Sequence, residues 1–152
     1  MSLSAAPAHW RRMRERYRLL GSKCETCGNT FFPPTKVCPK CRRRGKITPI
    51  EFSGRGKVFS YTIIHAAPKM FEDYTPSTVA IVQLNEGPKV LSQLVDCEPD
   101  EIKIDMDVEV CFRKLFEQDR GGIISYGFKF RPLDTSWTKY YDEPRQAVDS
   151  QI

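Results

Sequence analysis

From position 58 onward, apolar and polar residues alternate with a period of two. Val58–Ile64 (VFSYTII), Val79–Leu84 (VAIVQL), Val90–Val95 (VLSQLV), Val108–Phe116 and Ile123–Arg131 each read as a strand. Alternate side chains of a strand point to opposite faces, and β-branched and aromatic residues suit a pleated, half-buried surface. Asn85-Glu86-Gly87-Pro88 marks a hairpin turn between the second and third strands, and Asp119-Arg120-Gly121-Gly122 another between the fourth and fifth. Between the third and fourth, Glu98-Pro99-Asp100-Glu101-Ile102 can begin one helical turn. Five short strands so spaced suit a small closed Greek-key barrel of the oligonucleotide/oligosaccharide-binding (OB) type, with a five-stranded SH3-like barrel as the competing arrangement.

The period differs at the N-terminus. Between His9 and Leu20, Trp10, Met13, Tyr17 and Leu20 recur at three- and four-residue intervals, which predicts one amphipathic helix over 8–21 with Gly21 as its stop. So short a helix is marginal alone and must dock its stripe, either on its own domain or on a partner protein. Trp10, Met13 and Tyr17 are therefore the candidate partner-binding residues. The tail from 134 to 152 has no clear period despite Trp137, Tyr140 and Tyr141.

Between the helical and the alternating segments, at 22–46, lie Cys24-Glu25-Thr26-Cys27 and Cys38-Pro39-Lys40-Cys41. Two C-x-x-C pairs bring four soft thiolates together, which suits a tetrahedral zinc ion. Gly28, directly after Cys27, permits the positive φ that such a knuckle needs. Two disulfides or four unrelated thiols are the alternative, and iron fits the same four sulfurs. Four cysteine ligands close the shell and leave no position for water or substrate, so the metal is expected to be structural, one per chain. Phe31, Phe32, Pro33 and Pro34 connect the knuckles and supply a small apolar cap.

Composition adds limits. A chain of 152 residues, 40% hydrophobic and 28% charged, is globular in type. No apolar run approaches the ~20 residues needed to span a bilayer, and no signal-peptide core stands at the N-terminus, so a cytoplasmic protein is expected. Cys97 and Cys111, in apolar strand-like contexts, read as buried thiols. The formal charge is +5, concentrated in Lys23, Lys36, Lys40, Arg42, Arg43, Arg44 and Lys46 around the cysteines and in the arginines before them. A zinc held by four thiolates carries about −2, which nearby cations offset. The remaining positive charge leaves a face for a phosphorylated cofactor, an acidic protein or nucleic acid.

Catalytic signatures are absent: there is no phosphate-cradling glycine loop, no nucleophile elbow, and only two histidines, His9 and His65. His65, after the first barrel strand, is a candidate to line a loop pocket.

Cys24-x-x-Cys27-Gly28, Phe32-Pro33-Pro34, Cys38-Pro39-x-Cys41, Ser53-Gly54-Arg55-Gly56-Lys57-Val58, Ser60-Tyr61-Thr62, Leu84-x-Glu86-Gly87-Pro88 and Phe130-Arg131-Pro132 occur in that order. This set resembles the domain-of-unknown-function 35 family, zinc-ribbon/OB-fold proteins associated with acyl-CoA metabolism. The resemblance covers about residues 9–133. It implies a mainly β protein: an N-terminal helix, a rubredoxin-like zinc ribbon over 22–46, and a five-stranded OB-fold barrel over 50–133. It also implies a non-catalytic accessory subunit, which binds a CoA thioester and a thiolase or hydroxymethylglutaryl-CoA-synthase-like enzyme. Arg55, Lys57 and Lys69, with His65, are then the candidate ligand-binding residues, the cations contacting CoA phosphates by charge-assisted hydrogen bonds. Two places depart from the family's pattern: Asp105-Met106-Asp107 stands where a glycine is usual, and Arg42-Arg43-Arg44 where small residues are common. The competing function is single-stranded nucleic-acid binding, with Phe59, Tyr61, Phe128 and Phe130 as stacking platforms.

Overall fold

A computed structural model describes residues 11, 13, 14, 17–68, 71, 74–117 and 124–133 of the chain. The first three strands, β1 (Leu20–Cys24), β2 (Thr30–Phe31) and β3 (Ile47–Glu51), form an antiparallel sheet in the order β2-β1-β3. The next five close into a barrel: β4 (Arg55–Ile64), β5 (Ser77–Leu84), β6 (Lys89–Leu94), β7 (Asp107–Glu117) and β8 (Ile124–Pro132). The barrel order is β4-β5-β6-β8-β7, so the last strand returns to lie between β6 and β7. That return is the Greek-key connection of an OB barrel. A 3-10 turn at Pro99–Glu101 sits between β6 and β7, where the sequence predicts one helical turn.

The period of two produces the core directly. In β5, Thr78, Ala80, Val82 and Leu84 are buried while the residues between them are not. Val58, Val90, Leu94, Val108 and Phe130 complete the barrel interior, joined at one end by Leu19 and Phe52. All neighbouring barrel strands are antiparallel except β6 and β8, which run parallel and meet at one pairing, Leu94↔Phe130.

Curvature enters at irregular points. The register slips between Val58 and Ser60 in β4 and between Lys114 and Phe116 in β7, as bulged strands do when they bend to close a barrel. Just before β4, Gly54 has φ +75°, its carbonyl accepts from the Val110 N–H at 2.8 Å, and a Cβ there would overlap the Val110 side chain.

The expected N-terminal helix over 8–21 is not borne out. Among the described residues no continuous helix is present. Arg11, Met13, Arg14 and Tyr17 have helical backbone, and the Arg18 N–H donates to the Arg14 carbonyl at 3.2 Å. The chain then turns into β1, so Leu20 and Gly21, read as a last helical residue and its stop, are strand. The cause is Leu19, whose φ of 45° reverses the chain so that its side chain, 3% exposed, enters the core. Trp10, the tail over 134–152 and the turn at 119–122 lie outside the described residues. Among those described, no helix is long and apolar enough to cross a membrane.

Candidate metal centre and its surroundings

β1 ends on Cys24, and the chain reverses at once. The Gly28 N–H donates to the Cys24 carbonyl at 2.7 Å, and the Cys24 N–H to the Asn29 carbonyl at 2.8 Å. The second knuckle repeats the device: the Arg42 N–H donates to the Cys38 carbonyl at 2.8 Å, and the Cys41 N–H points at the Cys38 Sγ at 3.4 Å. Each knuckle ends in a left-handed residue directly after its second cysteine, Gly28 at φ 75° and Arg42 at φ 50°.

The result is one cluster. The Sγ atoms of Cys24, Cys27, Cys38 and Cys41 all lie within 4.8 Å of one another. Cys24 and Cys38 are buried and the other two half-buried, and all six cysteines of the chain are free thiols, which removes the disulfide alternative. Gly45 closes the back of the site: a Cβ there would lie 2.9 Å from the Cys38 Cβ and 3.3 Å from the Cys24 Sγ.

The chemistry of the donor set fits a cation. Burial raises the Cys24 thiol, but backbone hydrogen bonds from Cys27 and Thr26 and bonds from the Cys27 and Cys38 thiols more than offset it, leaving it near about 7. Cys41 is pushed up to about 12, first by its hydrogen bond with Cys27 and then by burial. The first negative charge is thus accommodated and the last resisted, as expected of four thiolates that need a metal to ionise together. Among the surrounding cations, Lys46 pairs with Glu25 at 2.8 Å, while Lys23, Lys36, Lys40, Arg42, Arg43 and Arg44 are exposed.

The ribbon is seated on the barrel by aromatic rings and by one acidic residue. Phe32 packs edge-on against Phe128 at 5.6 Å and Phe52 at 6.3 Å between centroids. Glu86, in the β5–β6 turn, accepts the Ser53 N–H on Oε1 at 2.7 Å. Its Oε2 is buried without a partner. Burial raises the Glu86 carboxyl, yet the Ser53 bonds and its own backbone N–H more than compensate and hold it below its ordinary range.

The other sequence candidates do not converge. Arg55 and Lys57 are exposed at the start of β4, with Lys57 a loose 3.9 Å from Asp107. His65 is exposed just past the end of the same ten-residue strand, roughly 30 Å away at the rise of an extended chain. Lys69 lies outside the described residues. Of the partner candidates, Met13 is half-buried, and Tyr17 packs edge-on against Phe112 at 5.0 Å. Phe112 in turn stacks on Tyr126 at 5.7 Å. The sequence reading passed over these two rings, 49% and 39% exposed. The signal was the alternation of Tyr126 with Phe128 and Phe130 in β8, and of Phe112 with Val108 and Val110 in β7.

Residues 11–46 match the rubredoxin-like zinc ribbon domain of ChsH2, and residues 50–113 match its C-terminal OB-fold domain. The chain is 52% identical over 123 residues to a DUF35 domain-containing scaffold protein of Methanothermobacter thermautotrophicus, covering 81% of this chain and 92% of that one. A DUF35 domain-containing scaffold protein of Pyrococcus furiosus is 51% identical over 125 residues, with 82% and 90% covered. A probable enoyl-CoA hydratase alpha subunit of Thermomonospora curvata is 36% identical over 102 residues, 66% of this chain but 31% of that protein. Among solved structures, a chain of the Ltp2-ChsH2(DUF35) aldolase superposes with a TM-score of 0.62 at 30% identity, over 87% of this chain and 98% of that one. The ribbon match, together with the clustered thiols, assigns one structural zinc to the four cysteines.

Proposed function

The chain belongs to the DUF35 family of zinc-ribbon and OB-barrel proteins, and from that premise we propose that it is a non-catalytic scaffold subunit of an acyl-CoA enzyme. It holds a thiolase or hydroxymethylglutaryl-CoA-synthase-like enzyme and binds the CoA moiety of the intermediate. Support comes from relatives named as scaffold proteins, from a relative named as a hydratase subunit, and from the aldolase assembly that contains a similar chain.

The observation that carries the reading is the aromatic run Tyr17–Phe112–Tyr126 on the outside of the protein. Aromatic rings so presented are enriched at protein interfaces and dominate their energetics. Met13 and Trp10 extend that contact surface in this proposal. The zinc takes no part in chemistry, because four thiolates leave it no open position. Arg55 and Lys57 are assigned to the CoA phosphates. His65 and Lys69, beyond the far end of β4, would serve another part of the ligand.

Co-purification with a thiolase-like enzyme encoded beside this chain tests the proposal. Phe112→Ala should weaken the complex by ~1–3 kcal/mol if that ring is an anchor. Calorimetry with CoA and with a mixed-sequence single-stranded oligonucleotide, at low and moderate salt, separates this reading from the nucleic-acid alternative. Tight oligonucleotide binding with no enzyme retained would overturn it.

A further inference from the structure

β6 and β8 touch at Leu94↔Phe130 and separate toward Leu91 and Gly127. Over that separation, on the outer face of the barrel, lies a cavity of about 450 Å³ walled by Phe71, Val79, Leu91, Leu115 and Phe116. The size is that of a small-molecule site, about 300–1,000 Å³. Gly127 keeps it open, since a Cβ there would lie 2.7 Å from the Leu115 Cδ1. Gln93 and Lys129 line both this cavity and a second, more polar one of about 380 Å³ bordered by Tyr74, Thr78 and Asp96.

Lys129 is the unusual member. The residue is 5% exposed, and no hydrogen bond or ion pair joins its Nζ to a described residue. Its Nζ stands 5.6 Å from the Tyr74 ring centroid. The nearby carboxylate, Asp96, is committed to Arg113 at 2.9 Å. Burial accordingly lowers the Lys129 ammonium below its ordinary range. The stem is buried while the Nζ keeps some contact with solvent, and an incoming oxygen would replace that water as the acceptor of a charge-assisted hydrogen bond.

We propose that this cavity binds an apolar acyl chain ending in an oxygen acceptor, with the Lys129 Nζ donating to that oxygen. The chain lies against Leu91, Leu115 and Phe116, and its carboxylate or thioester carbonyl turns toward the polar cavity. The inference deepens the scaffold reading by giving the acyl group its own place, and it rests on that reading only for the CoA portion.

The test is calorimetry on the full zinc-loaded chain with octanoate, acetate, octanoyl-CoA and CoA. Octanoate should bind and acetate should not, and octanoyl-CoA should bind more tightly than CoA. Lys129→Met should weaken octanoate by about tenfold or more, the effect of losing one charge-assisted hydrogen bond. Leu91→Glu, at a position 71% exposed where folding is not at stake, should weaken it similarly by charging the wall. Octanoate retained without CoA binding supports the cavity and removes the CoA reading. CoA bound with octanoate no better than acetate removes the cavity, as does octanoate affinity unchanged by both substitutions.

Discussion

The Thr30 hydroxyl of the ribbon donates a hydrogen bond of 2.8 Å to the main-chain carbonyl of Glu86 in the barrel. With the Ser53 N–H bound to the Glu86 carboxylate, one turn of the barrel grips both β2 and the connection that follows β3. Thr30→Val keeps the shape and removes the donor, leaving a part-buried carbonyl unpaired. The ribbon should lose ~1 kcal/mol of stability. Denaturant midpoints read from zinc release should fall, and an unchanged midpoint would show the contact to be incidental.

The carboxylate of Glu86 predicts an acid response of definite sign. Its folded pKa is lowered, so its contribution is present above the unfolded value and is lost as pH falls through the folded one. The amide proton of Ser53, which donates to it, should titrate with a midpoint below the ordinary glutamate value of about 4.3. Glu86→Gln should abolish that titration. A midpoint at or above the ordinary value contradicts the hydrogen-bonded geometry.

Metal removal should act locally and then spread in one direction. Replacing any of Cys24, Cys27, Cys38 or Cys41 by Ser should release the zinc and unfold the three-stranded sheet, which is too small to hold a core unaided. Because Phe32 rests on Phe52 and Phe128, hydrogen exchange should also quicken at those two residues. β5 and β6 should stay protected. Collapse of the whole barrel on chelation would show that the metal supports both parts.

Gly54→Ala should destabilise the barrel by ~1–3 kcal/mol, the usual cost of overpacking, with backbone strain added at a positive φ. The new methyl group would meet Val110 where the carbonyl of residue 54 holds the β7 backbone. A thermal midpoint equal to that of the parent protein would mean that the β3–β4 connection can shift to accept it.

Strands and ligands were the legible parts of this chain. The five alternating segments correspond to β4–β8 with ends displaced by up to three residues, and the C-x-x-C pairs named the metal cluster, because both signals are local. The N-terminal stripe misled for a physical reason. Leu20 continues the helical period of Met13 and Tyr17, yet tertiary burial of Leu19 takes the chain out of the helix before the period ends. Two departures from the family pattern, Arg42 and Asp105, proved to be left-handed positions occupied without glycine, at φ 50° and 65°. Short polar side chains such as Asp tolerate that conformation, and a one-letter string does not display it. Neither the burial of Lys129 nor the seating of Phe32 could be read in advance, since each depends on residues distant in sequence.

The contact between Phe32 and Phe128 orders events in time as well as space. A chain emerging from the ribosome presents its cysteines early and β8 last, and domains form as their sequence becomes available. The knuckles can therefore capture their ion while the surface that will receive Phe32 has not yet been synthesised. Metal supply during translation, rather than after release, decides whether the final strand meets a finished ribbon or a loose one.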